Sequence, residues 1–543
     1  MTPRPTQPTA GEGNDTPGGT SLPTAQQAVA PPGARSNADP EKPPNDVGDA
    51  IPEQLRVRRE KRQRLLDSGI EPYPVGVERT TSLAALRSAY PDLPPDTDTG
   101  QVAGVTGRVI FLRNSGKLCF ATLREGGAGE TGSELQVMVS LNGVGAESLA
   151  AFKADVDLGD HLFVRGSVIT SRRGELSVLA DSWAITAKAL RPLPVAHKPL
   201  SEESRVRQRY VDLIVRPQAR RTVQVRSALN RSLRSTLYER DFLEVETPML
   251  QVLYGGAAAR PFVTHMNAMD LDLYLRIAPE LYLKRAVVGG IERVFEINRN
   301  FRNEGADSSH SPEFTMLELY QAYGDYFDAM ELIEGLVAYV ATELLGTTAI
   351  TYGGRPLDLA PPWRRATMVE LVEEHAGVHV DVRMDVDELR RIADDHGVPH
   401  QPSWGPGKLV LEIYEKTTEP HLWDPIFVLD YPQEVSPLAR LHREVPGLVE
   451  RFEGFVVGRE LCNAFSELTD AVDQRARFEE QARQKAAGDD EAMVVDEDYL
   501  RALDYGLPPT AGFGLGIDRL VMLLADVPTI RDVILFPTLR PEQ

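Results

Sequence analysis

A short stretch near the middle of the chain concentrates residues that can bind a phosphate and a base. Arg302 and Glu304 are two residues apart in a strand-like run, so the sequence predicts that they share one face. A polar loop with His310 follows, and a predicted return strand carries Phe314 and Tyr320. A guanidinium can hold a phosphate, a carboxylate can accept from an adenine amino group, and an aromatic ring can stack on a base. Each residue alone could be structural, but their grouping around one loop favours a binding site.

A second candidate is the glycine-rich segment AGFGLGIDRLVMLL, residues 511–524. Its glycines predict a strand crowded against a ligand or a helix, with Arg519 at the junction between strand and helix. The spacing matches neither a dinucleotide-binding loop nor a P-loop. Arg519 is interpreted either as a contact to a terminal phosphate or as a helix-start arginine in a surface ion pair.

Several elements must position these residues. In the predicted helix 221–240, Val225, Leu229, Leu233 and Leu237 form one apolar stripe, and a strand ending at Pro248 follows. Taken alone, this unit is typical of an amphipathic helix packed on a core. The other predictions for the same region are helices at 325–345, 385–396 and 473–487, and strands at 293–298, 426–429 and 452–457.

The chain divides by composition and pattern. We predict a disordered Pro/Gly-rich tail (1–50), a basic amphipathic helical segment and linker (51–100), a barrel domain (101–190), a connector (191–219) and an α+β domain (220–543). Residues 101–190 contain five short strands, with a helical stretch at 146–154 after the third. That order is typical of an OB-fold, which binds oligonucleotides on one face.

The net charge of −21 means that any nucleic-acid contact must come from local basic patches. The densest patch is the run of basic residues at 56–64, interpreted equally as a solvated helix face or as a phosphate contact. Cys119 and Cys462 have no metal-binding spacing, which favours a reducing, cytoplasmic location. No apolar run is long enough to span a membrane, and the N-terminus does not resemble a secretory signal.

The helix–strand unit, the strand–loop–strand unit and the glycine-rich segment resemble motifs 1, 2 and 3 of class II aminoacyl-tRNA synthetases. The finer sequence is similar to the lysyl-tRNA synthetase family of subclass IIb over about nine tenths of the chain. The stretches that carry the resemblance are ETPMLQ (246–251), GGAAARPF (255–262), LRIAPELYLKR (275–285), FEINRNFRNEG (295–305) and IRDVILFP (530–537).

The resemblance implies a nucleotide site for ATP. Arg302 would bind the α-phosphate and the lysine carboxylate, Glu304 would hold the adenine amino group, and His310 would contact the phosphate tail. Phe314 and Arg519 would sandwich adenine, so that Arg302 and Arg519 are the expected catalytic residues. Glu453 and Glu460 would bind Mg²⁺, although simple strand alternation puts residues seven apart on opposite faces.

The resemblance also implies a pocket for L-lysine. Glu280 would accept the substrate α-ammonium beside the backbone of Gly256, and Glu467 with Tyr320 would take the ε-ammonium. The remaining expected members of the pocket are Glu318, Asn463 and Phe465. A buried ammonium needs an anionic partner, and such a site rejects analogues that lack the amine.

The barrel is expected to read the anticodon of tRNA(Lys). Phe120 would stack on a base, Gln136 and Arg113 would read its edges, and Glu175 is a further candidate. Without the resemblance, Phe120 could equally be barrel core. In this family motif 1 forms the interface of a homodimer, so a homodimer is expected.

Three positions depart from the family pattern. Ser309 stands where many members have arginine, and Ser311 where many have asparagine, which leaves open the loop's contacts to triphosphate and acceptor stem. Cys462 stands where glycine or alanine is usual, beside the expected lysine pocket.

Four other functions would each leave a different mark on the sequence. An aspartyl- or asparaginyl-tRNA synthetase would meet its substrate side chain with basic or amide groups rather than with Glu467 and Tyr320. A lysine-transferring paralogue that modifies proteins would lack the anticodon-binding barrel. A non-catalytic relative would lack the nucleotide and metal residues, and a membrane lysyl-lipid synthase would need transmembrane segments.

Overall fold

The computed structural model describes residues 52–126, 133–194, 200–486, 488 and 492–542. The predicted tail, residues 1–50, lies outside these residues. A closed five-stranded barrel is followed by a region of mixed helices and strands built on an eight-stranded sheet, which confirms the α+β prediction. Among the described helices, none combines the length and the apolar character needed to cross a bilayer.

Two helices precede the barrel, α1 (Glu53–Asp67) and α2 (Leu83–Ala89). The basic run on α1 is neither a fully solvated face nor a free phosphate-binding face, because three of its side chains pack against the barrel domain. Arg58 is buried and donates to the carbonyl oxygens of Leu158 and Ala189, both at 2.9 Å. Lys61 pairs with Asp157 at 2.7 Å, and Arg64 pairs with Asp155 at 2.6 Å.

The barrel strands are β1 (Asp98–Asn114), β2 (Leu118–Glu125), β3 (Ser133–Ser140), β4 (His161–Thr170) and β5 (Leu176–Ala187). Their order is β1-β2-β3-β5-β4, and β4 pairs with β1 to close the barrel. Alternation along β2 turns Cys119, Ala121 and Leu123 into the barrel core. Two helices follow the third strand, α3 (Leu141–Val144) and α4 (Ala146–Asp155).

The connector contains α5 (Glu202–Arg207) and α6 (Arg209–Val215), and the long helix α7 (Pro217–Tyr238) follows. Proline suits the first turn of α7 because that position needs no backbone donor. The predicted stripe Val225, Leu229, Leu233 and Leu237 is buried in the largest core cluster. The expected strand before Pro248 is much shorter than predicted, because only Leu243–Glu244 is paired there.

The strands of the larger region are β6 (Leu243–Glu244), β7 (Leu250–Gln251), β8 (Phe262–Met266), β9 (Leu271–Leu275), β10 (Arg293–Phe301), β11 (Glu313–Ala322), β12 (Ala349–Tyr352), β13 (Arg355–Asp358), β14 (Arg364–Thr367), β15 (Ile426–Leu429), β16 (Arg451–Val456), β17 (Arg459–Ser466) and β18 (Thr510–Gly516). The eight-stranded sheet has the order β14-β15-β16-β17-β18-β11-β10-β6, antiparallel except at its two outer pairs. The sheets β7-β9-β8 and β12-β13 are separate.

The remaining helices are α8 (Glu280–Val288), α9 (Tyr326–Leu345), α10 (Met368–Ala376), α11 (Val386–Asp395), α12 (Pro406–Thr417), α13 (Ala471–Ala486), α14 (Glu497–Asp504), α15 (Ile517–Ala525) and α16 (Ile530–Val533). Helix α9 has well-defined ends, because Asp325 forms a capping box with Asp328 and Gly346 takes a left-handed conformation after the last turn. Together, α7, α9 and α15 cover the central strands and bury their apolar faces.

Candidate functional site

The predicted strand–loop–strand unit is present, but Arg302 and Glu304 lie beyond the first strand. Strand β10 ends at Phe301, and residues 302–312 form the loop that leads to β11. The backbone N–H of Arg302 donates to the carbonyl oxygen of Pro312 at 3.0 Å, which closes the base of the loop. The guanidinium carbon of Arg302 lies 5.1 Å from the ring centre of Phe314, so these two side chains meet at the end of the sheet.

The middle of this loop is organised by Asp307. Its carboxylate accepts from the backbone N–H groups of Ser309 at 2.6 Å and His310 at 2.8 Å, and it contacts the His310 ring at 3.0 Å. The bond to His310 is the largest of these effects and holds the pKa of Asp307 at about 2. His310 is therefore held in an exposed loop, where a polyanionic ligand has access to it.

Arg519 lies in the first turn of α15, directly after β18, as the sequence predicts. Strand β18 pairs with β11, and Gly516 is opposite Met316. This register brings Phe314, two residues before Met316, and Arg519, three residues after Gly516, to the same end of neighbouring strands. The Arg519 guanidinium donates to the backbone carbonyl of Glu460 and approaches its carboxylate at 3.2 Å.

A partly buried ion pair, Arg226 with Asp518, joins the three motif segments. Asp518 at the start of α15 accepts from the backbone N–H of Thr315 on β11 at 2.7 Å. Arg226 on α7 donates both to Asp518 and to the Thr315 hydroxyl. The helix that carries the apolar stripe is thus bonded directly to the strand and the helix that carry Phe314 and Arg519.

Glu453 and Glu460 share one face of the β16–β17 hairpin because of a bulge. Gly454 pairs with Cys462, but the next pair is Phe455 with Glu460, which leaves one extra residue in β17. Glu460 therefore faces the same side as Phe455 and Glu453. Burial, followed by repulsion from Glu460, raises the pKa of Glu453 to about 7. Among the described residues, no cluster of three or more His, Cys, Asp or Glu side chains forms a metal site.

Most of the residues predicted for the lysine pocket come together around one buried ammonium, that of Lys284 on α8. Its Nζ contacts Glu280 Oε1 at 2.6 Å and the Glu467 carboxylate. It also lies 5.8 Å from the ring centre of Tyr320 and 5.2 Å from that of Phe465. Glu467 is only 1% exposed, and its Oε1 has no hydrogen-bond partner among the described residues. The cage therefore combines two carboxylates with two aromatic walls.

Glu318 forms the floor of this cage with Tyr320. The Tyr320 hydroxyl donates to Glu318 Oε1 at 2.9 Å. Burial, together with the charge of Glu280, raises the pKa of Glu318 to about 8. Burial also raises the pKa of Glu467, against the opposing effect of Lys284. A pocket that holds this many acidic groups favours a cationic ligand.

Two glycines shape the pocket. Gly256 has a φ of +89°, and a Cβ there would lie 2.9 Å from the Cβ of Glu280, so the chain passes close beside that carboxylate. Gly512 on β18 runs beneath the pocket, where any Cβ would overlap the Tyr320 ring and the Glu467 carboxylate. Both positions therefore admit only glycine without a local shift.

Asn463 is held at the rim by an arginine that the sequence prediction missed. Arg451 donates through Nε to Asn463 Oδ1 at 3.0 Å and through its terminal nitrogen to Glu453 Oε1 at 2.6 Å. Its guanidinium lies 4.5 Å from the Tyr431 ring centre. Arg451 thus links the predicted lysine pocket to the predicted metal-binding carboxylates.

Cys462 does not line the pocket, contrary to the sequence-based expectation. It is adjacent to Asn463 on β17, so its side chain points to the opposite face, where it packs under Gly454 in the core. Burial raises the pKa of its thiol. The substitution therefore affects core packing rather than substrate contact.

In the barrel, three of the four predicted residues share the outer face. Arg113 is opposite Phe120, Gln136 is opposite Thr122, and the Arg113 guanidinium carbon lies 5.3 Å from the Phe120 ring centre. Phe120 is half-buried on this face, so it is not barrel core. Gln136 donates to the Ser177 hydroxyl at 2.9 Å. Glu175 lies two residues from Ser177, but its carboxylate pairs with Arg87 at 2.9 Å.

Lys284 and Arg451 were the main omissions from the sequence-based site. Lys284 had a detectable signal, because it follows Glu280 by four residues on a helix whose other inward positions, including Leu281 and Leu283, are apolar. A charged pair on such a face is buried only with partners. Arg451 had no comparable signal, because its contacts depend on the hairpin register.

Comparison with known proteins agrees with this geometry. Residues 201–540 match the family model described as tRNA synthetases class II (D, K and N), and residues 103–186 match an OB-fold nucleic acid binding domain. The chain therefore belongs to the class II tRNA synthetases.

Comparison with individual proteins identifies the family within this class. A lysine–tRNA ligase of Mycolicibacterium gilvum is 59% identical over 91% of this chain and 98% of its own length. Those of Kineococcus radiotolerans and Moorella thermoacetica are 57% and 50% identical, over 92% and 90% of this chain and 99% and 98% of theirs. Within the class, the chain belongs to the lysine–tRNA ligase family.

Proposed function

We propose that this chain activates L-lysine with ATP and transfers the lysyl group to the 3′ end of tRNA(Lys). The observation that carries this proposal is the cage formed by Glu280, Glu467, Tyr320 and Phe465. Its two buried carboxylates and two aromatic walls suit an ammonium head on an apolar stem. The two carboxylates outnumber the single Lys284 ammonium between them. An aspartate side chain would therefore be repelled and an asparagine side chain would leave the excess negative charge unbalanced, which argues against the aspartyl and asparaginyl alternatives.

The positions of the pocket residues support the following proposed roles. Glu280 accepts the α-ammonium next to the close backbone of Gly256. Glu467 accepts the ε-ammonium through Oε1, which has no hydrogen-bond partner among the residues described. Phe465 lines the stem and Asn463, fixed by Arg451, contacts the carboxylate. The Tyr320 hydroxyl and Glu318 complete the floor of the pocket.

ATP is proposed to bind at the neighbouring end of the sheet. Phe314 and Arg519 lie at the same end of adjacent strands and hold adenine between a ring and a guanidinium. Arg302 meets the α-phosphate and the lysine carboxylate, Glu304 accepts from the adenine amino group, and His310 contacts the phosphate tail. The backbone N–H of Ser309 donates to the Asp307 carboxylate and so helps to hold this loop.

Glu453 and Glu460 suit Mg²⁺, because the ion typically takes one or two carboxylates together with phosphate oxygens. Their shared face and their mutual repulsion fit a site completed by a cation. When bound, Mg²⁺ offsets negative charge on the phosphates of ATP. Arg451 and Arg519, each in contact with one of the two carboxylates, keep them oriented.

The chemistry needs no protein nucleophile. A lysine carboxylate oxygen attacks the α-phosphorus of ATP, the bond to the β-phosphate oxygen breaks, and pyrophosphate leaves. The terminal tRNA hydroxyl then attacks the carbonyl carbon of lysyl-adenylate. The bond from this carbon to the phosphate oxygen breaks, AMP leaves with the bonding electron pair, and the hydroxyl proton is released. Arg302 and Arg519 stabilise charge that develops on the phosphates, and the pocket aligns the carboxylate for attack.

The barrel is proposed to bind the anticodon of tRNA(Lys). Arg113, Phe120 and Gln136 on one outer face suit stacking and edge contacts to single-stranded bases. Glu175 joins them once its exposed pair with Arg87 opens, which costs little because the pair is solvated. The domain divisions given above remain our proposal for how these functions are distributed.

A homodimer is proposed through motif 1. Six large apolar side chains on and around β6, β7 and β8 are exposed in the single chain: Leu243, Met249, Leu250, Val252, Leu253 and Val263. Large apolar side chains left exposed to water in one part of the chain, 243–263, support an interface there. A cytoplasmic location is part of the same proposal.

The test is charging of tRNA by the purified chain, with ATP, Mg²⁺ and each amino acid separately. Attachment of lysine alone is expected, with lysine-dependent ATP–pyrophosphate exchange. Exchange with lysine but no charged tRNA would overturn the tRNA part and keep the pocket. Activation of aspartate or asparagine, or of no amino acid, would overturn the proposal. Sedimentation of the active enzyme as a monomer would contradict the dimer.

A further inference from the structure

The pocket proposed for substrate lysine already contains a lysine of this chain. Lys284 is fully buried, and its ammonium bridges Glu280 and Glu467, which are proposed to hold the two ends of the substrate. The two rings that face this ammonium, Tyr320 and Phe465, are also proposed substrate contacts. The ammonium thus contacts four side chains that substrate recognition requires.

We propose that Lys284 is a positioning residue of the lysine site, which stays in place when substrate binds and keeps Glu280 and Glu467 oriented and ionised. This inference rests on the proposed function. Lys284 uses Glu280 Oε1 and one oxygen of Glu467, and a carboxylate has two oxygens with about four acceptor positions. Within the part of the chain that the structure describes, Glu467 Oε1 is buried and has no hydrogen-bond partner, so it is available to a second ammonium.

Charge explains why such a residue is needed. Two buried carboxylates that face one small pocket favour protonation, and a protonated carboxyl no longer attracts an ammonium strongly. A third acid, Glu318, and the hydroxyls of Tyr320 and Tyr499 face the same space, while Arg451 acts on Glu280 from the rim. Lys284 is the one ammonium among these described groups, and it is bonded to both carboxylates.

The barrel domain supplies a matched control. Lys188 is also fully buried and bridges two carboxylates, Asp157 at 2.6 Å and Asp160 at 2.7 Å. It has the same structural role without any proposed substrate site. Lys188→Met therefore measures the effect of removing a buried bridging ammonium on folding alone.

The experiment is ATP–pyrophosphate exchange with L-lysine, for wild type, Lys284→Met and Lys188→Met, at pH 7 and pH 9. For Lys284→Met we expect the KM for lysine to rise at least tenfold at pH 7, with the KM for ATP within twofold of wild type. The rise should shrink at pH 9, because the unbridged carboxylates ionise again as the pH increases. Lys188→Met should change neither KM.

Three results would overturn the proposal. An unchanged KM for lysine would make Lys284 purely structural, and a lowered KM would make it a plug that substrate displaces. A rise independent of pH would remove the charge argument. If wild type itself does not activate lysine, the proposed function fails instead.

Should Lys284→Met not fold, Glu280→Gln is compared with the double variant Glu280→Gln/Lys284→Met. The double variant removes one buried carboxylate together with the ammonium. A higher KM for lysine in the double variant than in Glu280→Gln is expected, because Glu467 loses its partner. Equal values in the two variants would overturn the inference.

Discussion

Gly512 lies directly beneath Tyr320, so close that a single methyl group on Gly512 would overlap the tyrosine ring and the Glu467 carboxylate. The backbone of β18 therefore forms one wall of the lysine pocket, and the pocket depth depends on a residue without a side chain. Since neighbouring Phe513 and Ala511 point into the core, strand β18 cannot move away without disturbing it.

Replacing Gly512 by alanine is expected to raise the KM for lysine about tenfold or more, because overpacking a closed site typically costs about 1–3 kcal/mol. The KM for ATP should change little. Pyrophosphate exchange measures both constants. Gly335→Ala on α9 is the control, since a Cβ there lies more than 4 Å from the atoms of every described neighbour and alanine favours the helix. Equal effects of the two variants would contradict the packing argument.

Glu467→Gln should reduce kcat/KM for lysine on the order of 100-fold, because it removes a charge-assisted bond to a buried ammonium worth about 1.5–3 kcal/mol. The variant should still bind ATP in the absence of lysine, as measured by calorimetry. Glu374→Gln, which breaks an exposed pair with Arg364, should leave activity unchanged. Full activity of Glu467→Gln would exclude Glu467 from substrate binding.

Glu453→Gln is expected to raise the Mg²⁺ concentration needed for half-maximal exchange by about tenfold, because one hard anionic ligand is lost. Chelation of the metal should stop exchange in wild type. Titration of Mg²⁺ at saturating lysine and ATP gives both results. A variant with the Mg²⁺ requirement of wild type would remove Glu453 from the metal site.

Phe120→Ala should raise the KM for tRNA by about 5- to 100-fold, because stacking on one aromatic side chain contributes about 1–3 kcal/mol per base. Exchange without tRNA should be unaffected, since Phe120 lies on the barrel. Measuring both reactions on one preparation provides the control. A parallel loss of both activities would indicate a folding defect rather than loss of anticodon contact.

The raised pKa of Glu318 predicts that the stability of the folded protein depends on pH. Its folded-state pKa of about 8 is above the ordinary value of 4.5, so the folded protein binds this proton more tightly than the unfolded chain does. Stability contributed by the proton is complete below about pH 4.5 and is lost as pH rises to about 8. Glu318→Gln should therefore raise Tm relative to wild type more at pH 9 than at pH 5. A shift equal at both pH values would contradict this assignment.

The sequence predicted the fold well where a single element carries the signal. The stripe on α7, the return strand with Phe314 and the helix start at Arg519 all lie where periodicity or glycine placement puts them. The strand predicted before Pro248 was too long. The segment is rich in apolar and β-branched residues, but only two of its positions pair with β10. Arg302 and Glu304 were assigned to a strand because alternation continues past the last hydrogen-bonded residue.

The site was harder to predict from the sequence where it depends on strand register. Simple alternation separates Glu453 from Glu460, and only the bulge in β17 brings them to one face. The predicted direction of the Cys462 side chain was wrong, because that direction depends on the register of the same hairpin. Likewise, the contacts of Lys284 and Arg451 join residues from three segments, α8, β16 and β17 with the residue after it, which one sequence cannot align.

The docking of α1 onto the barrel has a consequence for how ions affect RNA binding. Lys61 and Arg64 are already neutralised by Asp157 and Asp155, and Arg58 is bound to backbone carbonyls. Binding of these three cations to RNA would release few of the counterions condensed on it, because a phosphate must first displace an internal partner of each cation. The slope of log affinity against log salt, about −0.7 to −0.9 per phosphate contact, should therefore be shallower than the basic residues of this helix indicate. Recognition then depends more on base contacts, which ionic strength affects little.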